Sequence, residues 1–187
     1  MTTSVADRPR LLRGGLSVAI LAGAAVAVGL GVYARAHHPA GRPLFTLGFS
    51  GMLQMKAWLA TIVLALAMVQ LVTALIMWGR LPIHASGPVI SVIHRWSGAI
   101  AFVVSLPVAF HCIWSLGFAT GSARVIVHGA AGCAFYGAYT AKMVGLRLKG
   151  LPGWALPVLG SAVLTLVVLT WLTASLWFFT RSGVPLT

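Results

Sequence analysis

Two side chains in this sequence have the type and placement to do chemistry. His111 and His128 fall in consecutive apolar blocks of a chain whose interior holds almost no other ionisable group. An imidazole in hydrocarbon is costly unless it is hydrogen-bonded or ligating a metal. Two imidazoles on neighbouring helices, facing each other across a porphyrin, are the axial ligands of a low-spin b-type haem. The depths agree with that reading. The block 93–117 has its midpoint near Ser105, and His111 lies six residues beyond it, roughly 9 Å at the helical rise. The block 124–146 has its midpoint near Phe135, and His128 lies seven residues before it, roughly 10 Å toward the same face.

The neighbours of these residues bear on the same question. Gly132 stands four residues after His128, on the same helix face, and its missing side chain leaves room for a flat macrocycle. Gly129 and Gly137 thin the helix further, although small residues also serve helix–helix contact in membranes. The competing reading of the pair is two histidines hydrogen-bonding across a bundle. His94 opens the third block in His94-Arg95-Trp96-Ser97-Gly98 near the opposite face, 17 residues from His111, which places the two roughly 100° apart around the helix. A second haem at His94, with Met143 or His84 as partner, is the alternative to an interfacial histidine beside a snorkelling arginine. His37 and His38 read as surface residues, Lys142 as a snorkelling lysine, and Cys112 and Cys133 as buried packing without a disulfide or metal role.

The elements that must position these groups are membrane helices. The chain has 187 residues, of which 59% are apolar, with a mean hydropathy of +0.98, outside the range of ordinary soluble domains. Five apolar blocks, at about 15–34, 57–79, 93–117, 124–146 and 155–179, are each near the ~20 residues that span a bilayer. Only helices or closed barrels satisfy the backbone in lipid, and barrel-type alternation is absent. The expected fold is an all-α polytopic bundle of five transmembrane helices, with an N-terminal tail over 1–14 and a C-terminal tail over 181–187. The first block is read as a retained span rather than a cleaved signal. Arg80-Leu81-Pro82, Gly117–Arg124 and Lys149–Gly153 punctuate the spans, and such short connections make neighbouring helices antiparallel. The loop 35–56, with Leu44–Phe49 and Met52-Leu53 too short to span, suits an interfacial segment or a lid over the bundle.

Charge limits function and sets orientation. The only acidic residue is Asp7, so carboxylate proton relays, carboxylate metal sites and carboxylate acid–base catalysis lose support. The formal charge of +12 is scattered over span ends, which is a topology and lipid-headgroup pattern rather than a nucleic-acid footprint. One face carries Arg8, Arg10, Arg13, Arg80, Arg95, Lys142, Arg147 and Lys149; the other carries Arg35, Arg42, Lys56, Arg124 and Arg181. The richer face is expected to be cytoplasmic, with the N-terminus inside. No internal repeat supports an inverted-repeat transporter.

At these residues the chain resembles known families. His94-Arg95-x-x-Gly98 resembles the H-R-x-x-G of cytochrome b561-type membrane domains. Phe110-His111-Cys112-Ile113-Trp114, Arg124-Val125-Ile126-Val127-His128-Gly129, Phe135-Tyr136-Gly137-Ala138 and Leu151-Pro152-Gly153-Trp154-Ala155-Leu156-Pro157 resemble a group of small bacterial membrane proteins of unassigned function that are b561-like. The similarity runs over about 31–179. It implies haem b held by histidines and electron transfer from a quinone-type or ascorbate-like donor. The chain departs from the larger family in having five spans rather than six and in lacking four well-placed histidines, so haem ligation carries over only onto His111 and His128, with His94 as the uncertain third.

The resulting expectation is a multi-pass b-type cytochrome of the bacterial inner membrane, cytochrome b561-like. It holds one haem b between His111 and His128, with Gly132 beside it and a second haem at His94 left open. Its contacts are membrane lipid, a quinol donor and a redox protein at the outer face, with no nucleic acid and with self-association left open. The rival expectation is a non-redox assembly or anchoring subunit of a larger membrane complex.

Overall fold

A computed structural model describes residues 8–83, 87–148 and 151–184; His84 therefore lies outside the described residues. The described chain is all-helical, with no strand. The first helix, α1, runs Arg8–Ala36, and α2 runs Met52–Met77. The third rod is α3, Gly87–Phe110, continued by a π-helical segment, His111–Leu116. The fourth is α4, Ala123–Arg147, and the fifth is α5, Ala155–Trp171, continued by a second π-helical segment, Leu172–Leu176, and by α6, Trp177–Ser182. Four of these five rods are long and apolar enough to cross a membrane: Gly14–Ala36, Met52–Met77, Gly87–Leu116 and Ala155–Ser182. They leave a broad apolar surface outward, with Leu21, Val28, Val103 and Val158 more than half exposed. That surface matches hydrocarbon rather than water.

Two helix starts differ from the hydropathy blocks for local reasons. The α2 helix begins at Met52 because Gly51 takes an extended N-cap conformation and Gln54 reaches back to the backbone N–H of Ser50 at 3.1 Å. This makes Met52-Leu53 the first turn of a helix rather than loop. The third rod reaches back to Gly87, six residues before the apolar block at 93. Pro88 sits in that first turn, where a missing N–H costs nothing.

The fourth rod is not among these four apolar rods. It packs along α1 on one side and α5 on the other, while α2 packs along α3. The α1–α4 crossing is very close. A Cβ on Gly23 would stand 2.5 Å from the Gly137 carbonyl oxygen, and one on Gly137 would stand 2.6 Å from the Gly23 oxygen. Ala27 and Ala141 complete this small-residue contact, the arrangement that membrane helices use to approach closely. Gly137→Leu is expected to push α1 off α4 and cost at least about 1–3 kcal/mol. Gly29→Leu, where an added Cβ meets nothing within 4 Å, serves as the control. Thermal midpoints in detergent check the pair, and equal midpoints would refute the crossing.

The same neighbours that pack so closely leave space elsewhere. The third and fourth rods are joined by the short turn 117–122, yet their backbones stay apart and they meet through long side chains, Ser105 with Tyr136 at 2.9 Å and Phe102 with Tyr139 at 4.4 Å between centroids. Between them, at the end of the bundle that carries the 37–51 loop, is a cavity walled by all five rods. Beneath it Val63, Ala67, Phe135 and Val167 form the closed core, with Leu64, Val104 and Val163 packed around them.

Candidate functional site

The cavity has a volume of about 380 Å³, within the roughly 300–1,000 Å³ typical of small-molecule sites. Most of its wall is apolar, including Val63, Val108, Ala109, Val125 and Val167. Its polar groups are few: His128, Cys112, Cys133, Lys56, Thr170, and the Tyr136–Ser105 pair at 2.9 Å. Gly132 also lines it, and a Cβ there would meet nothing within 4 Å. Thus His128 and Gly132, one turn apart on α4, open on the same space.

The hydrogen bonds around His128 suit one tautomer of its neutral ring. Its Nδ1 lies 3.1 Å from Thr173 Oγ1, and that hydroxyl spends its one hydrogen on the Leu169 carbonyl at 2.7 Å. With that hydrogen on the carbonyl, Thr173 accepts from the Nδ1–H of His128, and in the neutral ring Nε2 then carries the lone pair. Cys112 Sγ is 3.9 Å from that Nε2, a weak thiol contact at most. His111 is locked in the same form by a different partner. Its Nδ1 is 2.9 Å from the carbonyl oxygen of Pro107, which can only accept. Its Nε2 is buried and has no hydrogen-bond partner among the described residues. Metal-binding histidines show this pattern: one ring nitrogen donates to an oxygen while the other presents its lone pair.

The two rings do not, however, face each other across one wall. His111 is fully buried and is absent from the cavity lining, where its neighbour Cys112 stands instead. Its ring is packed edge-on against Phe45 at 4.6 Å and Phe110 at 5.3 Å between centroids. Helical spacing accounts for this: Ser105, Val108, Ala109 and Cys112 share one face of the third rod, and His111 stands roughly 100° away from it. Pro107 lies inside the third helix, and a proline there removes a backbone donor. The π-helical segment that starts at His111 closes i→i+5 turns, which shift every later side chain around the helix axis. The second π segment contains Thr173, so the two irregular turns meet at His128 from opposite sides. Arg124 steadies this point, donating to the Thr173 carbonyl at 2.6 Å and lying 4.0 Å over the Trp177 ring.

The 37–51 loop packs over the first π segment. Ala40 and Gly41 donate backbone hydrogen bonds to the carbonyls of Trp114 and Ser115 at 3.1 and 3.0 Å, and Phe118 donates to Ala34 at 2.9 Å. His37 is part of this cover, stacked between Tyr33 and Trp114 with Nε2 3.3 Å from the Trp114 carbonyl. His38 is exposed.

His94 belongs to a separate polar cluster between α2 and α3. Its Nδ1 is 2.8 Å from Thr73 Oγ1, which donates to Val69 at 2.7 Å, so His94 repeats the lock seen at His128. Gln70 donates to the His94 carbonyl and to Ser97 Oγ. This cluster shares no lining residue with the cavity. No group of three or more His, Cys, Asp or Glu side chains able to hold a metal ion occurs among the described residues.

Three participants were not legible as such: Cys112, Thr173 and Lys56. Lys56, counted among the topology charges of one face, is only 8% exposed and forms part of the cavity wall. The one sequence signal for the register change is Pro107, four residues before His111. Comparison with known proteins adds a family and nothing about activity: no curated protein and no solved structure matches the chain. The family that does match covers residues 16–186, and the chain is accordingly a member of DUF6529, a family of unknown function.

Proposed function

We propose that this protein is a membrane-embedded b-type haem protein that carries electrons, in which the central cavity would hold the haem and His128 on its wall would ligate the iron. The observation that carries this reading is His128 on the cavity wall, with Nδ1 bonded to Thr173 and Nε2 met only by the Cys112 sulfur at 3.9 Å, together with the unpartnered Nε2 of His111 buried next to that cysteine in the chain. A buried acceptor nitrogen without a donor is costly, and the cost is repaid when that nitrogen ligates. His111 is the proposed second ligand. The contact of Cys112 with His128 favours one alternative, in which the Cys112 sulfur takes that position. Haem supplies a reversible one-electron couple when bound; the residues supply orientation, an apolar surround and exclusion of water.

The cytochrome b561 resemblance enters as part of this proposal, as do crossing by the fourth rod, a bacterial inner-membrane location and a cytoplasmic N-terminus. Crossing by α4 is supported by its 25-residue length and its packing along two apolar rods. Two of the five cations on the opposite face, Lys56 and Arg124, are spent inside the bundle, which sharpens the positive-inside asymmetry. A run of packed rings, His111–Phe110–Trp114–His37–Tyr33, leads from the site to the half-exposed Tyr33. It supports exchange with a quinol or redox protein at that end.

The test is a pyridine haemochrome assay on full-length protein purified from membranes in haem-replete cells. The expected result is about one haem b per chain with a low-spin Soret band. Colourless, folded protein that also fails to take up added haem would overturn the reading.

A further inference from the structure

An ammonium buried in an apolar wall needs an anion, and the described residues contain no carboxylate side chain. Lys56 lies in the second turn of α2, 8% exposed, among Ala60, Val63, Cys112 and His128 on the cavity wall. The single acidic side chain of the chain, Asp7, precedes α1. Between that tail and the 37–51 loop lies the whole of α1, 29 residues, or about 40 Å at the helical rise. Nor does the position suit simple anchoring. A lysine in the second turn of a span ordinarily directs its head to the interface, whereas this one is turned into the bundle. The Cys112 side chain is a hydrogen-bond partner of Lys56, but sulfur is a weak one; desolvating an ammonium without a carboxylate is expensive, and the N-terminal end of α2 adds positive potential rather than relieving it. The cavity thus combines an apolar body, an imidazole and a cation that no carboxylate among the described residues balances.

We propose that Lys56 is an anion-recognition residue, and that the molecule held in the cavity is an apolar body carrying a carboxylate which pairs with its ammonium. Two chemically distinct sources present that group. One is haem, whose propionates hang from a flat apolar ring; this source rests on the function proposed above. The other is a long-chain fatty acid from the surrounding lipid. Both place a carboxylate at one end of a hydrocarbon body, and both would neutralise the one buried cation of the cavity wall. His128 separates them chemically, because only an iron-bearing ligand uses its Nε2 lone pair.

The experiment titrates full-length protein in detergent, purified without added haem, with haemin, with haemin dimethyl ester and with palmitate, the last by displacement of a fluorescent fatty acid. Wild type, Lys56→Met and Lys56→Arg are compared. Wild type should bind haemin about thirtyfold more tightly than the diester, the loss expected when one partner of a buried charge pair is capped. Lys56→Met should shrink that preference to less than about threefold while leaving diester affinity unchanged, and Lys56→Arg should restore it. Unchanged diester binding shows that the methionine variant keeps its fold. A preference that persists in Lys56→Met, or its absence from wild type, overturns the proposal. Palmitate binding that depends on Lys56, with no haemin binding by wild type, would overturn the haem reading and keep carboxylate recognition. Failure of wild type to bind either carboxylate would overturn both.

Discussion

Replacing His128 by alanine is expected to lower haem affinity by at least about 100-fold, leaving the purified protein essentially colourless but folded. The magnitude follows from the geometry at Nδ1. Outer hydrogen bonds that orient a ligating histidine are themselves worth roughly 10–100-fold in metal affinity, so loss of the ligand exceeds that range. The outer bond supplies an internal check. Thr173→Val removes the hydroxyl that accepts from His128 Nδ1 at nearly constant shape, frees the ring to change tautomer, and should weaken haem binding by about 10–100-fold. The fold has little to lose from either change, because the His128 ring is half-buried and α4 is held elsewhere, by its crossing with α1 at Gly23 and Gly137. The spectra then decide the second ligand. If it is His111, His111→Ala converts the low-spin haem to a high-spin form and Cys112→Ser leaves the Soret band in place. If it is the sulfur, the two variants exchange their effects. Full haem content in His128→Ala would remove the proposed site altogether.

How much of this could be read from the sequence depends on which physical signal carried it. Apolar blocks long enough to span are set by the solvent, and they locate the helices because lipid permits little else. Their ends are set by local chemistry that hydropathy does not register. The extended Gly51 and the back-reaching Gln54 start α2 early, and Pro88 lets the third rod begin at Gly87. Depth along a helix was also legible, since it needs only a rise per residue: Cys112, next to His111, does meet His128. Facing was not. It rests on which face of the rod fronts the cavity, and packing sets that face: it carries Ser105, Val108, Ala109 and Cys112, with His111 roughly 100° away. Cys112 therefore lines the cavity in the place expected of His111.

Burial of polar groups was the other blind spot. Lys56 looks like any cation at a span end until the structure turns it inward. Thr73 and Thr173 look like ordinary helix threonines until each is seen bonded to the carbonyl four residues back and accepting from a histidine. No local sequence pattern announces this device, because its halves are 21 residues apart in one case and 45 in the other.

Filling the cavity at Gly132 should abolish ligand binding without unfolding the protein, which makes it the complement of removing the histidine. Gly132→Leu adds four carbons at a position where a Cβ meets nothing within 4 Å, on the wall of a cavity of about 380 Å³, one turn from His128. The new side chain takes space that a planar macrocycle beside His128 must use, while Nε2, Thr173 and Lys56 all keep their places. In the ligand-free protein the change buries apolar surface, worth up to about 0.8 kcal/mol per methylene, so the thermal midpoint should hold or rise as haem uptake falls by at least about tenfold. Gly137→Leu, five residues along the same helix, should do the reverse, because its added atoms meet the Gly23 backbone rather than open space. The two glycines thereby separate binding from folding on one helix. If Gly132→Leu takes up haem as wild type does, the macrocycle does not lie beside His128 in this cavity, whatever the histidine variants show.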